Sequence, residues 1–355
     1  MSSKVRIGII GCGAIARSEH IPGYQSVPDL CEITAVCDAN FAAAQEVADQ
    51  VGAAFSTSNY AELWPHVDAV SVATPNTAHA EPTIAALKAG KHVLVEKPMA
   101  ISVSEATDMY RAAKESGKIL QIGLNFRFHP VTKFLDDFIA NGHMGHVYYA
   151  RAQCLRRRGV PHWGVFISKE LNGGGPLIDL GVHILDMTLH LMGYPKPVAV
   201  SGSTWDTLGK DPKIHNFFGP YDRSKFTVED FAVGSILFEN GARVTLESSF
   251  MSNGEGDPYQ TQLYGVGAGA LITPFAEPPL QIFKETDQQM FTMTPARLPN
   301  LPKMHTGEVQ AFVNAICSGS ESPVPPEQGV MLTAILSATY ESASLGREVP
   351  VDVRL

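Results

Sequence analysis

A glycine-containing turn near the start of the chain combines residue types and spacing that suit phosphate binding. Gly11-x-Gly13-x-x-Ala16 directly follows the apolar run at residues 5–10. A buried strand that ends at glycines and continues as a helix presents free backbone N–H groups to a pyrophosphate. Gly11 permits the tight turn, Gly13 allows close approach, and Ala16 is small enough for helix–strand packing. We therefore predict dinucleotide contacts from Gly11, Gly13, Ala14 and Ile15.

An acidic residue follows the next apolar run. Residues 33–37 are predicted to form a second buried strand that ends in Asp38, 25 positions after Gly13. A carboxylate that binds the adenosine ribose stands at an offset of about 20 residues. Such a carboxylate repels the 2′-phosphate of NADP, and Ala39-Asn40 supply no arginine to bind one. The pattern favours NAD over NADP. The alternative interpretation of the whole motif is a surface turn after an ordinary strand.

Glu96-Lys97-Pro98 stands at the end of another predicted strand, at residues 91–95. A lysine there can donate a hydrogen bond to a substrate hydroxyl, and its charge favours an alkoxide. Pro98 stiffens the turn, and its peptide bond to Lys97 can be cis. A solvated lysine in a βα loop is the alternative, but the strand-end position favours catalysis. We assign Lys97 to catalysis and substrate binding, and Glu96 with Lys97 to the cofactor site.

Asp179 and His183 lie four residues apart on a predicted helix that follows a flexible glycine loop at 173–175. Residues at this spacing share one helix face. An imidazole beside a carboxylate can accept a hydroxyl proton near neutral pH. A buried polar pair and a metal site are the alternatives, but no third ligand stands at a suitable spacing, so no metal is predicted. The similar pair Asp186 and His190 lies in an apolar stretch and is interpreted as structural.

Further polar and aromatic residues follow predicted strands. Thr74-Pro75-Asn76 can contact the nicotinamide ribose or the pyrophosphate, and His79 is included in this cofactor set, although a helix-start role is more common there. Asn125 and Arg127 follow the last strand of the first half, where two domains would meet and pockets commonly form.

Arg127 either binds substrate oxygens or pairs with an acidic neighbour. Trp163, near Arg156–Arg158, could stack on a sugar ring; a solvated loop or a subunit contact is the alternative. Asn125, Arg127 and Trp163 complete the predicted substrate contacts, together with Lys97, Asp179 and His183.

The elements that position these residues change in character near residue 125. Before it, short apolar runs alternate with helical segments, which predicts a doubly wound parallel sheet whose ligands bind beyond the carboxyl ends of the strands. After it, longer alternating strands predict an open, mostly antiparallel sheet, with hairpin turns at 239–242 and 252–254. Helices at 306–317 and 326–345 close the chain. We predict a dinucleotide-binding domain at 1–124 and an α+β domain at 125–355, with the option that the closing helices pack back on the first.

Composition excludes several classes of protein. The 355 residues carry a net charge of −9 with no long basic tract, which argues against nucleic-acid binding. No apolar run reaches 18 residues and no export signal is recognisable, so no membrane segment is predicted. Five scattered cysteines indicate reduced thiols and a cytoplasmic location. Gly-x-Ser-x-Gly and P-loop patterns are missing, which argues against α/β-hydrolases and nucleotide triphosphatases.

With these motifs placed, the chain resembles the Gfo/Idh/MocA oxidoreductase family, named for glucose–fructose oxidoreductase and inositol dehydrogenase. The resemblance rests on the glycine turn, Asp38, residues 74–76, 96–98 and 173–186, and the closing helices. It implies a Rossmann domain, and a second domain whose open sheet forms homodimers or homotetramers. It also implies hydride transfer between a nicotinamide and a ring hydroxyl or ketone of a sugar or cyclitol such as inositol. Lys97, Asp179 and His183 match the family's catalytic residues, and Ala16 stands where some members have glycine.

Two other functions remain open at this point. Some relatives use tightly held NAD for transient oxidation and act as glycosidases, commonly with an export signal. A non-catalytic sensor of dinucleotide and sugar is the other alternative, although the intact set of Lys97, Asp179 and His183 argues against it.

Overall fold

The structure is a computed structural model that describes residues 4–355, and the chain divides into two compact units. Unit 1 is formed by the residues up to Phe128 together with Pro302–Thr333 and Arg354–Leu355. Unit 2 is formed by His129–Leu301 and Ala334–Val353. Within residues 4–355, no helix is both long and apolar enough to cross a bilayer.

Unit 1 is built on a six-stranded sheet in the order β3-β2-β1-β4-β5-β6, and all of its strand pairs are parallel. The side chains of Ile7, Val36 and Leu94 are fully buried, as expected where helices cover both faces of a parallel sheet. The predicted doubly wound sheet is confirmed. The short strand β3 was not predicted, because three residues carry little periodicity. The strands are β1 Val5–Ile10, β2 Cys31–Cys37, β3 Phe55–Thr57, β4 Ala69–Val72, β5 His92–Val95 and β6 Leu120–Ile122.

The helices end where local chemistry stops them. The side chains of Asn40 and Ser102 cap two helix N-termini, and Gly52 and Gly117 adopt left-handed conformations at the C-termini of the same helices. The first helical segment is a π-helical turn, Ala16–His20, that continues into α1. The helices are α1 Ile21–Gln25, α2 Phe41–Val51, α3 Ala80–Lys88, α4 Val103–Ser116, α5 Pro130–Ala140, α6 Lys169–Asn172, α7 Val182–Leu191, α8 Met304–Ser318 and α9 Pro326–Leu345.

Helix α8 belongs to unit 1 although it comes from the far end of the chain. Val309, Phe312 and Val313 are fully buried and lie in one apolar cluster with Ile7 and Tyr24. Burial of these side chains holds α8 against the first strand and the helix that follows it.

Unit 2 contains a nine-stranded sheet in the order β14-β13-β12-β11-β7-β10-β9-β8-β15. Strand β10 is parallel to β7, and the other pairs are antiparallel, which confirms the mostly antiparallel sheet. Strands β12, β14 and β15 were not predicted. The strands are β7 Val147–Leu155, β8 Pro197–Trp205, β9 Phe231–Phe238, β10 Arg243–Ser249, β11 Tyr259–Gly265, β12 Gly269–Ile272, β13 Leu280–Thr286, β14 Gln289–Met293 and β15 Val349–Pro350.

One predicted hairpin is confirmed and the other is wrong. The turn at 239–242 joins β9 to its antiparallel neighbour β10. The turn at 252–254 does not form a hairpin, because β7 lies between β10 and β11 and pairs with both. A local turn pattern cannot reveal that a strand from earlier in the chain takes the central position.

Two facing glycines let α9 lie close to this sheet. Gly202 and Gly234 are paired neighbours on β8 and β9, and both lie under Thr339. A Cβ at Gly202 would stand 2.6 Å from the Thr339 carbonyl oxygen, which is backbone and cannot move alone. A Cβ at Gly234 would stand 3.4 Å from the Thr339 Cγ2 atom, an ordinary contact. Close backbone approach therefore requires glycine at 202 and not at 234.

We expect Gly202→Ala to lower the free energy of unfolding by about 1–3 kcal/mol or more, because the added methyl group forces α9 away from β8. Gly234→Ala is the matched control, with an expected loss of less than about 1 kcal/mol. Urea unfolding followed by circular dichroism measures both, and equal losses in the two variants would contradict the close approach at Gly202.

Candidate active site

The glycine turn after β1 packs directly against the end of β4. Gly11 has φ +94°, and a Cβ there would stand 2.6 Å from the carbonyl oxygen of Ala73. Gly13 is not packed in this way, because a Cβ built on it meets nothing within 4 Å. Ala16 is fully buried, as its predicted packing role requires. The turn thus needs glycine at 11 for packing and leaves open space at 13, before Ala14 and Ile15 begin the helix.

Asp38 is tied to this turn. Its Oδ2 atom accepts the N–H of Cys12 at 2.7 Å, and its Oδ1 atom accepts the N–H of Asn40 at 2.8 Å. A carboxylate offers about four lone-pair positions, so it can still accept bonds from ribose hydroxyls. The open backbone at Gly13, the helix N-terminus and the adjacent carboxylate fit a dinucleotide, with the pyrophosphate at the turn and the adenosine ribose at Asp38.

His79 connects the loops that follow β4 and β5. Its ring is fully buried, with Nδ1 2.8 Å from the Pro98 carbonyl oxygen and Nε2 2.9 Å from the Thr74 carbonyl oxygen. Burial lowers the pKa of His79. Thr74 also donates its hydroxyl to the Ala78 carbonyl at 2.9 Å. Both ring nitrogens of His79 therefore face backbone carbonyls, which holds residues 74–76 beside the Lys97 loop.

Lys97 follows β5 at the carboxyl edge of the six-stranded sheet, and its peptide bond to Pro98 is cis. The neighbouring Glu96 is 7% exposed. Its Oε2 atom accepts the Lys97 N–H at 3.0 Å, and its Oε1 atom lies 2.8 Å from Nε2 of His20. Burial acts to raise the pKa of Glu96, but the hydrogen bond and charge of His20 and the charge of Lys97 outweigh burial and lower it.

Asn125 and Arg127, predicted to bind substrate, are buried inside unit 1. Asn125 is 3% exposed and its side-chain nitrogen donates to Nε2 of His305 at 2.7 Å. Arg127 is 2% exposed and its Nη1 donates to Oε1 of Gln328 at 2.6 Å. The sequence left two interpretations of Arg127, binding of substrate oxygens or pairing with an acidic neighbour. The structure shows a partner of a third kind, the amide oxygen of Gln328.

Asp179 and His183 lie on the helix of unit 2 that was predicted for them, but its start is irregular. Leu177–Gly181 forms a π-helical turn that continues into α7. Asp179 is 9% exposed, and His183 lies one turn further along and is half-buried. Single π-helical turns are frequent at functional sites. The hydrogen-bonding period of this turn was not predictable from the apolar pattern.

A residue that sequence reasoning missed holds the start of this helix. Glu229 is buried, and its carboxylate accepts the N–H of Gly175 at 3.0 Å and of Leu177 at 3.1 Å. Its Oε1 atom also accepts the hydroxyl of Tyr340 at 2.8 Å. No local pattern marks Glu229, because its partners lie more than 50 residues away in the chain.

The same contacts explain the glycines at 174 and 175. A Cβ on Gly174 would overlap the Tyr340 hydroxyl, and a Cβ on Gly175 would overlap the Glu229 backbone oxygen. The prediction of a flexible glycine loop is therefore corrected: glycine is required here because neighbouring groups approach too closely for any side chain.

Asp186 and His190 each contact a residue outside the pair. Asp186 accepts the Tyr194 hydroxyl at 2.5 Å, and Nε2 of His190 lies 2.8 Å from Oδ1 of Asp136. Each residue therefore has a partner on another segment of unit 2.

Trp163 lies in an aromatic group at the surface of unit 2. It is 50% exposed, and its ring centroid is 5.6 Å from that of Phe218 and 5.0 Å from that of His162. The guanidinium of Arg156 lies 5.3 Å from the Phe218 ring centroid. Across residues 4–355, no cluster of three or more histidine, cysteine or acidic side chains is arranged to hold a metal ion.

Comparison with known proteins decides the family. Residues 5–124 match the oxidoreductase family with an NAD-binding Rossmann fold, and residues 133–269 match the GFO/IDH/MocA C-terminal domain. The chain belongs to the Gfo/Idh/MocA oxidoreductase family. It is an NAD(P)-dependent oxidoreductase, and its named relatives include sugar and cyclitol dehydrogenases.

Three relatives illustrate the range of this family. The chain is 35% identical over 351 residues to D-glucoside 3-dehydrogenase of Escherichia coli (strain K12), covering 98% of both chains. It is 28% identical to scyllo-inositol 2-dehydrogenase (NADP(+)) of Bacillus subtilis (strain 168), covering 81% of this chain and 80% of the relative. A solved levoglucosan dehydrogenase complex with NADH superposes with a TM-score of 0.85 at 24% identity, over 99% of this chain and 100% of that one, and shows the shared fold.

We expect Tyr340→Phe to lower the free energy of unfolding by about 1–3 kcal/mol, because it removes one of the bonds that satisfy a buried carboxylate. Tyr149→Phe is the control, since it removes a half-buried hydroxyl that donates to Thr245 at 3.2 Å on the same sheet. Urea unfolding measures both, and a loss no greater than that of the control would show that Tyr340 does not support Glu229.

Proposed function

We propose that the protein is an NAD-dependent dehydrogenase that oxidises a ring hydroxyl of a D-glucoside or a closely related pyranoside. The substrate class is supported by the 35% identity, over almost the whole length of both chains, to a protein named D-glucoside 3-dehydrogenase. The observation that carries the chemistry is the position of Lys97. In the strand order β1-β4-β5, Lys97 stands two strands from the glycine turn at the same sheet edge, a separation of about 10 Å at the usual strand spacing. A nicotinamide dinucleotide spans such a distance.

The proposed reaction uses one group for charge and one for the proton. The Lys97 ammonium donates a hydrogen bond to the substrate hydroxyl oxygen and stabilises the alkoxide as it develops. His183 accepts the hydroxyl proton, and Asp179 orients its ring and stabilises the imidazolium. The nicotinamide, when bound, supplies the acceptor for the hydride that leaves the carbon bearing this hydroxyl. The products are a ketone and a reduced cofactor, and His183 returns the proton to solvent.

The remaining predicted residues take supporting roles in this proposal. Thr74, Pro75 and Asn76 contact the cofactor, and His79 positions them through its two carbonyl contacts. Trp163 stacks on the sugar ring, as its half-exposed face allows. Asn125 and Arg127 support the substrate site from their buried positions.

We expect Lys97→Met and His183→Asn each to lower kcat by about 10²–10⁴-fold, because each removes a charge-stabilising or proton-accepting group. Activity is followed as NADH absorbance with methyl glucosides, free hexoses and inositols. Tryptophan quenching by NADH confirms that each variant still binds cofactor. Exposed His66→Asn is the control and keeps wild-type turnover. Wild-type kcat in either catalytic variant refutes the assigned roles.

We infer NAD rather than NADP as the cofactor because Asp38 would stand beside the 2′-phosphate. The expected result is a higher kcat/KM with NAD than with NADP in the wild type. Asp38→Ser is expected to narrow the difference in kcat/KM between NAD and NADP, because it removes the charge repulsion between the carboxylate and the 2′-phosphate. The substitution also removes the carboxylate that accepts the Cys12 N–H. Both cofactors are tested in parallel on the same sugars, and activity with NADP alone contradicts the assignment.

We also propose a homo-oligomer formed through the open face of the nine-stranded sheet and a reducing, cytoplasmic location. Polar residues line that face, among them the half-buried Thr245 and Glu247. All five cysteines are free, as in a reducing compartment. Light scattering after size-exclusion chromatography measures the assembly, and a monomeric mass at working concentrations rules it out.

A further inference from the structure

A buried polar chain in unit 1 links the helix that follows the glycine turn to the backbone of Lys97. His20 ends the π-helical turn and is fully buried. Its Nδ1 atom lies 2.6 Å from Oγ of Ser71 on β4, and its Nε2 atom lies 2.8 Å from Oε1 of Glu96. The other Glu96 oxygen accepts the N–H of Lys97 at 3.0 Å. One carboxylate therefore joins the cofactor-binding helix to the loop after β5.

The directions of these hydrogen bonds follow from the donors present. An ionised carboxylate is only an acceptor, so Nε2 of His20 must carry the proton that Glu96 receives. The Ser71 hydroxyl can then donate to Nδ1. Both ring nitrogens of His20 therefore have a polar partner inside unit 1.

Burying the hydrogen-bonded group of His20, Ser71 and Glu96 costs free energy, which argues against a role in packing alone. A buried carboxylate loses hydration that only well-placed donors restore, and an apolar side chain of similar size would pack there at lower cost. Gly123 on the segment after β6 leaves the space, because a Cβ there would stand 3.2 Å from Glu96 Cα and 3.3 Å from its Oε1. The charged and titratable groups around these residues include Lys97, His79 and Tyr24, and also His305 with its partner Glu19 at 3.4 Å.

We propose that His20 is a positioning residue for Lys97: it orients Glu96, Glu96 holds the Lys97 amide, and the pyrophosphate-binding helix and the lysine loop therefore move together. Cofactor binding at the helix N-terminus and placement of the Lys97 ammonium are coupled through this contact. This inference rests on the proposed role of Lys97 and adds a residue that touches neither substrate nor cofactor.

Two substitutions at His20 separate positioning from simple packing. His20→Leu fills the space without a donor, and we expect kcat to fall about 10–100-fold while the sugar KM changes less than kcat, because a shift of about 1 Å in a reacting group costs about 100-fold. His20→Gln places a side-chain N–H near the Nε2 position, and we expect it to recover most of the lost kcat. Equal kcat in the wild type and His20→Leu would overturn the proposal, as would equal losses in the Leu and Gln variants.

A control separates positioning from lost stability. His92 lies at the opposite end of β5, where its Nδ1 atom accepts the Ile119 N–H at 3.1 Å. His92→Asn removes a partly buried histidine from the same sheet, and we expect kcat to stay at the wild-type value even where unfolding is easier. A matching loss of kcat in His92→Asn and His20→Leu would assign the effect to stability and overturn the proposal.

A second readout needs no turnover. The lysines are reductively methylated with ¹³C-formaldehyde, and the Lys97 NMR signal is identified by its loss in Lys97→Arg. We expect NADH to shift this signal in the wild type and in His20→Gln, and to shift it far less in His20→Leu. Gly123→Ala, which leaves His20 in place and displaces Glu96, is expected to reduce the shift as well. An equal shift in the wild type, His20→Leu and Gly123→Ala overturns the coupling.

The two arms distinguish this inference from the proposed function. If the wild type oxidises no sugar of the panel, the proposed substrate class fails and the NMR arm alone decides the coupling. If the sugars are oxidised and the NMR shifts are equal in all variants, the proposed function stands and the positioning role of His20 fails.

Discussion

The contact between Gly11 and the end of β4 is the constraint on which the rest of unit 1 depends. Gly11 adopts a positive φ, and the place of its missing Cβ is taken by the Ala73 carbonyl. This backbone contact sets the direction in which the chain leaves β1 and starts the helix. It also places the Cys12 N–H where the Asp38 carboxylate can accept a hydrogen bond from it. The glycine turn, Asp38 and the loop after β4 are therefore parts of one packed edge.

Three carboxylates each accept backbone N–H groups from a loop, two of them in unit 1 and one in unit 2. Asp38 accepts a backbone N–H of the glycine turn, Glu96 accepts that of Lys97, and Glu229 accepts those of Gly175 and Leu177. A charge-assisted bond to a backbone amide is stronger than a neutral one and restrains the loop as well as the side chain. Burial of Glu229 raises its pKa, which shows the cost of removing this carboxyl from water. These segments are thus held by carboxylate acceptors, of which Glu96 and Glu229 are buried and Asp38 is half-buried.

Much of the architecture was predictable because it depends on local pattern. The alternation of apolar runs with capped helices identified the parallel strands other than β3, and the 239–242 turn identified the β9–β10 hairpin. The hairpin expected at 252–254 was wrong, since β7 pairs between β10 and β11. Strand neighbours of this kind depend on contacts between segments about a hundred residues apart, which no window of sequence contains.

The sequence by itself determined the dinucleotide turn, the acidic residue after β2, the lysine after β5 and the Asp179–His183 spacing, because each is a short-range match between residue type and backbone geometry. Only the tertiary structure decided what holds them. It turned His79 toward two carbonyls, brought Glu229 to the start of the Asp179 helix, and placed His20 against Glu96. These contacts form where distant segments exclude water from shared polar groups. Each buried donor must then find an acceptor in the folded chain, and sequence spacing does not say which one.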